Sequence, residues 1–588
     1  MLTNPSNEWL TVGPADSLKA DQPVVIKGGD RPILVFRDGD AVRAVDNRCP
    51  HMGFPLSKGT IDGGLVTCYW HHARFDGESG CAFDLFADDV PAFDTKVEAG
   101  TIYVASQPRR RPTTDHYAAR LERGLEQNID IILAKSVIGL LECGATIESI
   151  TQRLAAFGSR NHEAWGPGMV TVTIAANLWP YLNPDTRIHL LSDAARRLAQ
   201  DCQNRPSRRD RHPLEGNEAS LKRLRDWLQQ WVQVRHRDGA ERTALTVNEA
   251  YGLEGLNHVL LEMAHERPFA DQGHLLDFIN KLLELLGQTD AAMARDLVPL
   301  VVPELTAARG AEERSAWRSP IDLIALIHEA ESAMRGMETP PGGQGSALPE
   351  NFGNRLLSDD PKGIMRELVR ALESGCDPAA IARELAHAAA LRLAHFPESN
   401  DIADWFNPVH TFHFTNAVHQ GLLRAGQSDF GALRGLASGA MAVYLDRFLN
   451  IPEAKLPGAR QELETLPSDA EALLAGIMNR LDAAPTAMEA PTWVVRYLRC
   501  GHPEPALIDR LTMATLREDL DFHKIQCLEA AVRQASYWPE GSVEREHLYT
   551  GATRHLAAHC PTRRSRSKMT RIAIRLQRGE LIHETEED

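Results

Sequence analysis

CPHMGFPLSKGTIDGGLVTCYWHH, residues 49–72, carries two short half-sites: Cys49-Pro50-His51 and, after sixteen residues, Cys68-Tyr69-Trp70-His71. Each half mixes one thiol with one imidazole. Two Cys and two His can also hold zinc, but zinc motifs usually keep both Cys in one half and both His in the other. The mixed halves suit a [2Fe–2S] group in which one iron takes two thiolates and its neighbour takes two imidazoles.

The surroundings agree with that donor set. Gly53, Pro55, Leu56 and Gly59 follow the first half-site, and HHARFDGESG, with Phe75, Asp76 and Gly80, follows the second. On these residues the chain resembles the Rieske family over residues 8 to 106. The resemblance implies a small all-β domain over residues 1–106, with Cys49, His51, Cys68 and His71 as cluster ligands. It also implies that electrons leave through the exposed imidazoles of His51 and His71. High-potential members join the two loops by a disulfide, whose positions here are Phe54 and Trp70, and they donate Ser and Tyr hydroxyls where Ala73 and Phe75 stand. Fewer hydrogen bonds stabilise the reduced cluster less, so the expected potential is low, about −150 mV. Tyr69 replaces a usual Pro and His72 a common Gly.

Composition bounds the rest. The 588 residues are enough for several cores, and a formal charge of −16 argues against nucleic acid or an anionic membrane surface as partner. Nine scattered cysteines form no disulfide framework, which points to a reducing compartment. No apolar run approaches the roughly 18 residues of a membrane span, and the N-terminus lacks a leader pattern. The expected location is cytoplasmic.

Short β-branched runs such as PVVIKG, PILVFR and AVRAVD, broken by Gly, Asp and Pro, predict antiparallel strands over the first hundred residues. QPRRRPTTD, 107–115, reads as a linker. From His116 onward, apolar residues recur at helical spacing, interrupted by a Gly/Pro-rich break at 336–355. The two helical stretches, 116–335 and 356–588, look like copies. Leu141, Glu142, Gly144, Ile150 and Leu154 align with Leu372, Glu373, Gly375, Ile381 and Leu385. The expected architecture is therefore multidomain, a small β domain followed by a large all-α region of two similar halves.

Candidate residues for a second site come from helix-face arithmetic. Glu254, His258, Glu262 and His265 fall on one face of a helix, and Glu262/His265 and Glu384/His387 are both Glu-x-x-His pairs. Such pairs on facing helices hold iron in ferritin-like carboxylate proteins. His410 and His413, after a helix start at Asn407-Pro408, complete the set, with His258 and His413 as added ligands. His419 reads as structural, and His547, His555 and His559 as a solvent- or partner-facing group near a basic tail.

No Rossmann fingerprint opens a helix, so NAD(P)H or flavin belongs to a separate reductase. The Asp-x-x-His-x-x-x-x-His motif of ring-hydroxylating Rieske oxygenases is also missing from the sequence. The leading expectation is an iron–sulfur oxidoreductase that takes single electrons from an external reductase or ferredoxin. It would deliver them to an oxygenase-like, non-haem-iron site acting on a small molecule in the helical region. The competing expectation is a non-catalytic electron carrier or redox sensor with a helical docking scaffold.

Overall fold

The computed structural model describes residues 8–28, 31–110, 112–216, 218–267, 273–307, 317–337, 346–425, 429–580 and 582–583. The chain divides into two compact units, Met1–Thr146 with Ser567–Asp588, and Ile147–Arg566.

The first unit is built on nine strands: β1 Trp9–Pro14, β2 Val24–Gly28, β3 Arg31–Asp38, β4 Ala41–Asp46, β5 Thr60–Asp62, β6 Leu65–Thr67, β7 Arg74–Asp76, β8 Ala92–Glu98 and β9 Thr101–Pro108. They form an antiparallel six-stranded sheet, ordered β1-β9-β8-β4-β3-β2, and a three-stranded sheet, β5-β6-β7. The apolar run in β3 is continuous because side chains alternate between two cores. Leu34 and Phe36 pack with Val45, Leu56, Val66, Phe75 and the two motif cysteines, whereas Ile33 and Val35 pack with Ala44, Phe93, Ile102 and Val104. The β5–β6 hairpin closes on Gly63-Gly64, both left-handed at φ 55° and 79°, as a tight two-residue turn demands.

Helices Thr114–Gln127, Asp130–Glu142 and Lys568–Gln577 complete this unit. That grouping differs from the boundaries drawn on the sequence at 106 and 116. Arg120 explains part of it: its Nη2 donates to the Ala87 carbonyl at 2.8 Å and its Nε lies 3.2 Å from Asp88, so the first helix grips a loop of the β domain. The strand β9 runs to Pro108 and the helix starts at Thr114, which shortens the expected linker; Arg111 lies outside the described residues.

The second unit is helical throughout. At its centre the helix Phe406–Ala425 is buried continuously from Pro408 to Leu422. It packs on Pro378–Ala394, Phe430–Leu445, His274–Leu286 and Phe522–Ala535. Because helices from both sides of the 336–355 break share this core, the ranges 116–335 and 356–588 are not separate compact bodies. Part of that break, 338–345, lies outside the described residues, and a short helix, Phe352–Leu356, occupies its end. Asp130–Glu142 and Ile147–Asn161 are joined through left-handed Gly144, as Pro361–Glu373 and Pro378–Ala394 are through left-handed Gly375.

Candidate metal centres

Two loops of the same design carry the motif residues. In the first, the Cys49 N–H donates to the Phe54 carbonyl at 2.8 Å and the Gly53 N–H to the Cys49 carbonyl at 2.7 Å. In the second, the Cys68 N–H donates to the Ala73 carbonyl at 2.8 Å and the His72 N–H to the Cys68 carbonyl at 3.1 Å. The spacings match, four and five residues on from each Cys, so His72 occupies the place of Gly53. Both are left-handed, at φ 59° and 82°, which explains why Gly is common at this position and why His72 is held there at a backbone cost.

The side chains pair by type. Cys49 and Cys68 are buried and hydrogen-bonded to each other. The His51 and His71 rings lie 4.7 Å apart, nearly perpendicular. The bond from Cys49 outweighs burial and, with the Trp70 and His71 N–H groups, brings the Cys68 thiol down to about 6, while Cys49 is pushed up. Burial, then His71 and Lys135, lowers His51 to about 4, which leaves its ring neutral. Its Nδ1 is buried without a hydrogen-bond partner. Zinc would draw all four donors to within about 3.8 Å of one another. Among the described residues, these four are not such a group. A thiol pair and a separate imidazole pair with an orphaned, neutral nitrogen fit two metal ions better than one.

Where a disulfide would join the loops, Phe54 and Trp70 pack at 6.0 Å instead, with the His583 ring 4.7 Å from Trp70. His583 Nε2 also reaches the Met52 carbonyl at 2.9 Å. All nine cysteines are free. Ala73 and Phe75 are fully buried and bring no hydroxyl to the loops. We expect Ala73→Ser combined with Phe75→Tyr to raise the midpoint potential from the low end of the range of about −150 to +300 mV. Protein-film voltammetry reads the shift, and an unchanged or lower potential contradicts it.

In the second unit the sequence-derived residues scatter. Gly252, at φ 63° and ψ −163°, breaks the expected helix just before Glu254, which is left exposed. His258 Nδ1 is tied to Asp429 at 2.6 Å, and Glu262 lies 3.7 Å from Arg225. His258, Glu262 and His265 all meet the segment 429–435, with His265 buried beside Phe414 and Gly435 and driven by burial to about 3. His387 stacks on His547, Nε2 to Nδ1 3.1 Å, beside Trp538, and Glu384 is raised by burial. Among the described residues, the two Glu-x-x-His pairs do not form one metal-binding group. His419 is structural, hydrogen-bonded to Gln534 at 3.0 Å. His555 does not face solvent; it is 1% exposed and neither ring nitrogen has a partner.

His410 alone of the candidates joins a cluster. Its Nε2 is 3.1 Å from Nε2 of His523, which is 3.3 Å from Nε2 of His274. His413 lies beside them, its ring parallel to His523 at 6.2 Å and both nitrogens buried without partners. His274 and His523 open two helices that both flank Phe406–Ala425. Further along the same two helices, Gln526 donates to Asp277 at 2.7 Å and Lys281 meets Glu529 at 2.6 Å. Sequence reasoning missed His274 and His523. The available signals were His274-x-x-Asp277 and Asp521-x-His523, a carboxylate within reach of each imidazole at a helix start.

The paired loops on a small antiparallel sheet define an iron–sulfur class of domain. The model of the Rieske [2Fe-2S] domain matches residues 8–93. The anthranilate 1,2-dioxygenase ferredoxin subunit of Burkholderia cepacia is 36% identical over 73 residues, 12% of this chain and 68% of that protein. Apoptosis-inducing factor 3 of Homo sapiens is 28% identical over 121 residues, 20% of each chain, so this chain spans only a fifth of that relative's length. Among solved structures, the ferredoxin of carbazole 1,9a-dioxygenase from Nocardioides aromaticivorans IC177 is 31% identical, covering 16% of this chain and 96% of that one at a TM-score of 0.16. The chain belongs to the Rieske family through its N-terminal β domain. Among the described residues, no helix is long and apolar enough to cross a membrane.

Proposed function

We propose that this chain is an iron–sulfur oxidoreductase whose first unit receives single electrons from an external reductase or ferredoxin for use by an oxygenase-like site in the helical unit. Cys49 and Cys68 would hold one iron of a [2Fe–2S] group, and His51 and His71 the other. Bound there, the group supplies one-electron redox chemistry. The observation that carries this reading is the buried, neutral and unpartnered Nδ1 of His51 beside a thiol pair whose Cys68 favours the thiolate. Thiolate and neutral imidazole are the protonation states that metal ligation needs.

The chain's own residues set the remaining conditions. Trp70 and Phe54 hold the loops together without a covalent bond, and Phe86 packs against His51 at 5.1 Å. His71 is exposed, so its ring edge is open to an acceptor. The similarity to the ferredoxin subunit of a dioxygenase system supports an external electron donor. Anaerobic titration with NADH and a ferredoxin reductase should bleach the visible iron–sulfur absorbance with a single electron per cluster. Admission of air should then restore it as each reduced cluster gives up its one electron to oxygen. Protein that accepts no electron from either NADH with reductase or dithionite overturns the proposal.

A further inference from the structure

We propose that His274, His410 and His523 form a mononuclear Fe(II) site inside the helical unit. The three residues come from separate helices, and one ligand nitrogen from each lies within 4.8 Å of the other two. For metal–nitrogen bonds of about 2.0–2.1 Å, two imidazole nitrogens on one ion stand about 2.9–3.4 Å apart, from right-angle to tetrahedral geometry. The observed separations, 3.1 and 3.3 Å, lie in that interval.

Two of the three rings have a carboxylate near Nδ1. Asp521 Oδ1 sits 3.0 Å from His523 Nδ1, and Asp277 Oδ2 is 3.7 Å from His274 Nδ1. A carboxylate at Nδ1 keeps the proton there and turns the Nε2 lone pair outward. For His523, hydrogen-bonded to Asp521, this leaves the Nε2 lone pair facing the Nε2 atoms of His410 and His274 at 3.1 and 3.3 Å. A cation between the three nitrogens would take up that lone pair. The carboxylates are themselves held: Asp277 is buried and accepts from Gln526, and Asp521 accepts from Lys524 Nζ at 2.7 Å. Such outer contacts fix the orientation of ligating imidazoles.

Three imidazoles suit a divalent first-row ion and leave coordination positions open to an exogenous donor. His413, buried on the next turn of the central helix with both nitrogens unpartnered, is placed to bind what enters there. The geometry of the site stands without the proposed function; the choice of iron among divalent ions rests on it.

The test is metal binding by the full chain, prepared without oxygen and stripped with a chelator under conditions that preserve acid-labile sulfide. Fe(II) titration by calorimetry should then saturate at a single equivalent per chain. His410→Ala and His523→Ala should each abolish that binding while sulfide content and the thermal unfolding midpoint stay at the wild-type level. Asp277→Asn, which keeps shape and removes charge, should weaken it about 10–100-fold. If His523→Ala misfolds, His523→Gln together with His274→Gln serves the same comparison. No Fe(II) uptake, or uptake unchanged in these variants, overturns the proposal. Because Cys68→Ala removes the sulfide-bound iron and leaves these histidines intact, Fe(II) binding by that variant separates failure of this site from failure of the proposed function.

Discussion

Cys68→Ala protein should purify colourless, without acid-labile sulfide and without the signal of a reduced cluster. The loss is expected to be complete because Cys68 would provide one of the two thiolates that hold one iron. Cys81→Ala is the control: its thiol is exposed and lies outside both loops, so colour and sulfide should match the wild type. Sulfide retained at the wild-type level in Cys68→Ala, measured colorimetrically against protein concentration, would show that the loops had been misread.

The second large effect concerns stability. Lys281 is fully buried, and its Nζ lies 2.9 Å from Glu284 and 2.6 Å from Glu529, which are also buried. Asn177 donates to both carboxylates, at 2.8 and 2.9 Å, so the network has few unsatisfied atoms. Burial pushes Glu284 up, but the charges of Lys281, Arg533 and Arg424 outweigh it and hold the carboxyl near about 2. Removing one partner from a buried ion pair strands the other, at roughly 3–5 kcal/mol. Lys281→Met should therefore destabilise the helical unit by about that much at pH 7, read from urea unfolding followed by circular dichroism.

The sign of the pH dependence follows. In the wild type, Glu284 contributes stability above its unfolded value near 4.5, lost as pH falls through about 2. In Lys281→Met the same carboxyl loses its main counter-charge, so its protonation in the folded state becomes easier. The deficit of the variant should then shrink as pH is lowered from 7 toward 5. A shift under about 1 kcal/mol, or a deficit that grows on acidification, contradicts the argument.

The first unit was legible because its signal is local. Two loops with fixed Cys and His spacing, Gly at the turns and β-branched runs between them each report a conformation that depends on near neighbours. The departures were visible in the sequence but their consequences were not: Phe54 and Trp70 pack on each other where a disulfide would stand, and His72 takes the left-handed position of a glycine. Of the histidine cluster, only His410 was singled out from the sequence. Periodicity placed Glu254 and His265 on one helix, where Glu254 lies exposed just after the break at Gly252 and His265 is buried beside Phe414. His274 and His523 are 249 positions apart and meet only through the central helix, so spacing along the chain carried no trace of them. Their carboxylate partners, three and two residues away, were the local clue.

The same physics explains why the compact units do not follow the boundaries read from the sequence. Composition marks the Gly/Pro-rich break well, yet a core is defined by which helices pack together, and Phe406–Ala425 gathers helices from both sides of it. Conversely, Arg120 and Asp88 tie a helix to the β domain that its sequence pattern would assign to the helical region.

Iron and acid-labile sulfide, quantified on anaerobically purified chain and paired with electron paramagnetic resonance before and after dithionite, test the central assignment most directly. The expected outcome is two sulfides per chain, iron equal to or one above that number, and a paramagnetic signal that appears only on reduction. Sulfide-free protein containing zinc, with no signal on reduction, would contradict it.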